Sequence, residues 1–62
     1  MNSIRLLKDL ISENEKNVEY YENEILSELK NNKNFEIVER HAREARFCQE
    51  RILEFKKQIL EL

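Results

Sequence analysis

The sequence contains no glycine, no proline and no tryptophan, with a single cysteine, three phenylalanines and two tyrosines. Without glycine or proline, tight β-hairpin turns and glycine-rich phosphate-cradling loops lack the residues that build them. The lone Cys48 excludes an intramolecular disulfide and points to a reducing compartment. The start, Met1-Asn2-Ser3-Ile4-Arg5, has no apolar stretch of signal-peptide type, and no segment is apolar enough to span a membrane. Cytoplasmic residence is the expectation. A chain of 62 residues makes one domain at most, with little stability to spare.

What is present is an even mixture of charge and apolar surface. Charged residues make up 39% and apolar residues 40%, which fits amphipathic helices and is too apolar for a disordered tail. The net charge of −2 exerts no global pull toward nucleic acid or anionic lipid. Abundant Asn, Lys, Ile and Glu suit an AT-rich bacterial or phage genome.

The apolar residues are ordered in two heptad stripes. In the first, Ile4, Ile11, Val18 and Ile25 recur every seven residues, with Leu7, Asn14, Tyr21 and Glu28 three residues after each. In the second, Val38, Ala45, Ile52 and Ile59 recur likewise, followed by His41, Cys48, Phe55 and Leu62. Alternating steps of three and four keep one helix face apolar. The β-branched residues at the first-type positions suit coiled-coil packing, and Asn14 on the seam offers a means of fixing register.

The break falls at Asn31-Asn32-Lys33-Asn34. Asparagine tolerates the left-handed conformation that ends a helix and also caps the next one. Continuing the first heptad past Ile25 places Asn32, Glu39 and Arg46 on the seam, whereas the second stripe uses Val38 and Ala45, one residue earlier. A slip of one is not an insertion that a continuous coiled coil absorbs. The expectation is an all-α, antiparallel helical hairpin filling residues 1–62, with helices over about 3–30 and 35–61, a turn at 31–34, and Asn2 or Ser3 capping the start.

Each apolar arc is wider than one hairpin contact requires. Leu10, Leu26 and Leu29 flank the first seam; Phe35, Leu53 and Leu60 flank the second. A second copy would cover them, giving a homodimeric four-helix bundle with Ile11, Val18, Ile25, Val38, Ala45, Ile52, Phe55 and Ile59 in its core. A different protein could take the same place.

No catalytic, cofactor-binding or metal-binding residue is assigned. His41 and Cys48 lie seven apart on the seam, where a symmetric dimer could gather two of each around zinc. Their spacing equally suits a core histidine and a small buried thiol, the commoner roles. Nucleophilic catalysis by Cys48 would need a base in reach, and His41 is about 10 Å away along a helix axis. Acidic pairs such as Glu15 with Glu19 are ordinary i,i+4 helix partners. Cys48-Gln49-Glu50 resembles the start of the Ser-Gln-x-Leu-Asp motif of small sporulation aspartyl-phosphate phosphatases. Arg51-Ile52 stand where that motif has Leu-Asp, so no role carries over. The plasmid copy-number RNA modulators resemble this chain in architecture alone.

Phe47 falls about 180° from Val38, among Arg40, Arg43, Arg51 and Glu54. An aromatic residue rimmed by arginine on an outer face resembles an interface anchor. Tyr20 stands similarly opposite the first seam. The reading is a small non-enzymatic interaction module, a regulator, inhibitor or chaperone-like adaptor, with Phe47, Arg40, Arg43, Arg51 and Tyr20 meeting the partner. The alternative is an RNA- or DNA-binding bundle using the arginines of the second helix.

Overall fold

A computed structural model of the chain describes residues 3–62. Two helices, α1 (Ser3–Asn31) and α2 (Phe35–Glu61), pack side by side as a hairpin, and no strand occurs among the described residues. The rod measures 47 × 14 × 12 Å. Its radius of gyration is 14.4 Å; a compact domain of this length would reach about 10.6 Å. One seam between two helices is therefore all the interior that the hairpin has.

The seam follows the heptads. Ile11, Ala45 and Cys48 are buried, and Leu7, Leu10, Val18, Tyr21, Ile25, Val38, His41, Ile52, Phe55 and Ile59 are half-buried along the same line. Ala45 and Cys48 are small, and small side chains let the helices approach closely at mid-rod. At the open end the pattern loosens: Ile4 and Leu62, both in seam register, are 42% and 71% exposed.

The turn is built by hydrogen bonds rather than by glycine. The Glu28 carbonyl accepts from the N–H of Asn32 at 3.1 Å and from that of Lys33 at 2.6 Å, satisfying the exposed C-terminus of α1. Lys33 then takes the left-handed conformation at φ 55. The asparagine-rich run suggests an asparagine there, but Asn34 is committed elsewhere. It adopts an extended backbone, and its side chain accepts from the N–H groups of Glu36 and Ile37 as the N-cap of α2. The proposed cap at Asn2 lies outside the described residues, and Ser3 is already the first residue of α1.

A lysine in left-handed conformation costs about 1–2 kcal/mol. Glycine removes that cost but loosens the unfolded chain, which returns part of the gain. Lys33→Gly is expected to raise stability by about 0.5–1 kcal/mol, read as the urea midpoint at unchanged slope. A lower midpoint would mean that the lysine side chain holds the turn.

Candidate functional site

Among the described residues ten large apolar side chains stay exposed: Ile4, Leu6, Tyr20, Leu26, Leu29, Phe35, Phe47, Leu53, Leu60 and Leu62. At about 100° per residue they sort onto two sides. Phe35, Leu53 and Leu60 fall on one flank of the α2 seam; Ile4, Leu26 and Leu29 fall on the flank of the α1 seam with the same rotational sense. Seen from one end, the antiparallel helices wind in opposite senses while their seams point at each other. Flanks of equal sense therefore lie on the same broad side of the rod. One face thus carries six of the ten residues.

This first face is apolar at both ends and charged in the middle. Leu26, Leu29 and Phe35 cluster toward the turn, whereas Ile4, Leu53 and Leu60 lie toward the open end. Between them stand Glu15, Glu19 and Glu22 of α1 and Arg46 of α2, while Glu39 lies level with Leu26, and Lys8, Lys56 and Lys57 lie between the levels of Leu53 and Leu60. A shallow depression of about 260 Å³ opens on this side between Glu22, Ile25 and Leu26.

The second face holds Leu6, Tyr20, Phe47 and Leu62, with Arg40 and Arg51 alongside; Arg43 lies at the back of α2, next to Phe47. Phe47 is 56% exposed. The Arg51 guanidinium lies 5.9 Å from the Phe47 ring centre and 5.7 Å from that of Phe55. These distances lie within cation–π range, so Arg51 tethers the exposed ring to the half-buried one. A ring held this way loses less freedom when a partner packs on it. Tyr20, equally exposed, meets the Tyr21 ring edge-on at 5.3 Å.

The polar residues of the seam have local partners. Asn14 is 6% exposed, and its amide donates to the Leu10 carbonyl at 2.8 Å, along its own helix. His41 packs against the Tyr21 ring at 5.7 Å, and Cys48 is a buried free thiol. Glu28 accepts from the Asn32 amide through Oε2, while its buried Oε1 has no hydrogen-bond partner. Among the described residues no group of three or more His, Cys, Asp or Glu could hold a metal ion, and no helix is long and apolar enough to cross a membrane.

Ile11, Val18, Ile25, Val38, Ala45, Ile52, Phe55 and Ile59, expected at the centre of a bundle, all line the seam within the hairpin. Phe47, Tyr20, Arg40, Arg43 and Arg51 are exposed. Sequence reasoning does not separate the two faces, because flanks sort together only once the antiparallel pairing is known. The i±4 spacing of Phe47, Arg51 and Phe55 is a signal already present in the sequence. No protein-family model, curated protein or solved structure matches the chain.

Proposed function

We propose that this chain is a non-enzymatic protein–protein interaction module, a regulator, inhibitor or adaptor working through helix–helix contacts. In this reading two hairpins associate as a dimeric four-helix bundle, and the Phe47 face remains outside for another protein. The carrying observation is the exposed apolar surface on both broad sides of a rod only two helices wide. The chain leaves 5230 Å² accessible, against about 4,300 Å² for a compact monomer of its mass. Cys48 is closed inside the seam, which leaves its thiol a packing role.

The outer face is tested by Phe47→Ala. Because the ring is exposed, the change is expected to move stability by less than about 0.5 kcal/mol. It is expected to weaken capture of the cognate partner by about 2 kcal/mol or more, as truncated aromatic anchors do. A large loss of stability would place Phe47 inside the assembly instead. Arg43→Glu acts on association rate and its salt dependence rather than on lifetime. If nucleic acid is retained with a steep salt dependence that the arginines control, the alternative reading takes over.

A further inference from the structure

The geometry points to the face bearing Ile4, Leu26, Leu29, Phe35, Leu53 and Leu60 as the surface that takes the second copy, with both turns at the same end of the bundle. This inference rests on the self-association proposed above and specifies its face and orientation. The rod presents a side of 47 × 14 Å, roughly the 800 Å² per partner that stable interfaces bury once side-chain relief is included. Six exposed apolar residues lie on that side, against four on the other. The depression between Glu22, Ile25 and Leu26 gives a side chain of the other copy a seat.

A two-fold axis in the interface allows two orientations. If the turns sit at opposite ends, α1 lies on the α1 of the other copy. The middle of α1 (Ser3–Asn31) is Asn17, so Glu15 of each copy then meets Glu19 of the other. If the turns sit at the same end, α1 lies on the α2 of the other copy. The α1 edge of this face (Lys8, Glu15, Glu19, Glu22 and Lys30) carries two positive and three negative charges, a sum of −1; the α2 edge (Glu39, Arg46, Lys56, Lys57) carries three positive and one negative, a sum of +2. Glu19 and Glu22 stand level with Arg46, all lying about 11 to 14 residues from the turn, which at the helical rise is the same height along the rod. Leu29 then meets Phe35 at the turn end and Ile4 meets Leu60 at the open end, while Leu26 stands level with Glu39. The like-charge encounters of this arrangement, Lys8 with Lys56 and Lys57, sit near the open end. Unlike edges attract and like edges repel, so charge selects the same-end orientation.

The consequence for the seam is definite. His41 and Cys48 lie on the side of the seam away from this face, so pairing here keeps the two copies of each apart.

The experiment places one nitroxide label at the turn, on Asn32→Cys in a Cys48→Ala background whose helicity and mass are checked first. Pulsed electron paramagnetic resonance then reads the distance between copies. Turns at the same end should lie one or two interhelical spacings apart, about 10–20 Å plus the label arms. A distance near the 47 Å rod length would overturn the orientation. Absence of any inter-label distance in a protein that remains folded and monomeric would instead overturn the self-association beneath it. The face is read separately with exposed positions. Leu53→Glu is expected to raise the dimer dissociation constant by about 30-fold or more, as loss of an interface anchor does. Leu6→Glu, on the opposite face, is expected to leave it unchanged. The reverse pattern, or equal loss from both, would overturn the assignment of the face.

Discussion

Ile11→Asp is expected to abolish the folded hairpin at room temperature. Ile11 is 8% exposed in the narrow seam. An unpaired carboxylate there must lose its water or take up a proton, at a cost of several kcal/mol. Removing the isoleucine side chain adds about 2–5 kcal/mol by analogy with large-to-small core substitutions. A core in a chain this short supplies roughly 3–5 kcal/mol, so the loss exceeds what is available. Circular dichroism should show helicity falling to that of an unfolded chain, because isolated helices of this kind need tertiary packing. The conservative Ile11→Val should cost only about 1 kcal/mol and keep the cooperative transition. Retention of that transition by Ile11→Asp would mean that Ile11 does not face the other helix.

Asn14→Leu is expected to move stability in the opposite direction. Asn14 is the most buried polar residue of the seam, and its amide is satisfied by the Leu10 carbonyl of its own helix. That carbonyl keeps its backbone bond when the side chain changes, so no buried acceptor is orphaned. Leucine adds apolar surface to the seam, worth about 1.5–3 kcal/mol when fully buried, less whatever strain its larger volume introduces. A net gain of about 1–2 kcal/mol corresponds to a melting temperature higher by roughly 4–16 °C for a domain of this size. Uniqueness is expected to suffer, since one polar residue at a seam position discriminates among registers and oligomer states. A lower melting temperature would show that Asn14 makes a polar contact across an interface that a single hairpin lacks.

Both predictions depend on features that the heptad pattern reveals unequally. Val38, Ala45 and Ile52 could be assigned to the seam from spacing alone, because a strip of period three-and-four has one place to go in a helix pair. The one-residue slip between Ile25 and Val38 located the turn for the same reason. The identity of the left-handed residue was not legible. Propensity favours an asparagine, but Asn34 is needed with extended backbone to cap α2, and the positive φ falls to Lys33. Asn14 was recognisable as a polar residue on the seam. The direction of its bond was not, since an amide there can reach the facing helix or the carbonyl four residues back. The outer position of Phe47 follows from its angle to Val38. Its tether to Phe55 through Arg51 depends on side-chain conformation. The apolar flanks of both helices were visible as widened arcs. That Ile4, Leu26 and Leu29 share a side with Phe35, Leu53 and Leu60 needed the antiparallel pairing, a tertiary fact.

In the proposed assembly this hairpin completes its interior by association. That assembly is tested most directly by the mass of the folded protein in solution at micromolar concentration, measured by light scattering with helicity recorded on the same sample. Twice the chain mass of 7.6 kDa is expected, with a melting temperature that rises with protein concentration because association is linked to folding. A cooperatively folded particle of 7.6 kDa, melting at the same temperature at every concentration, would contradict it.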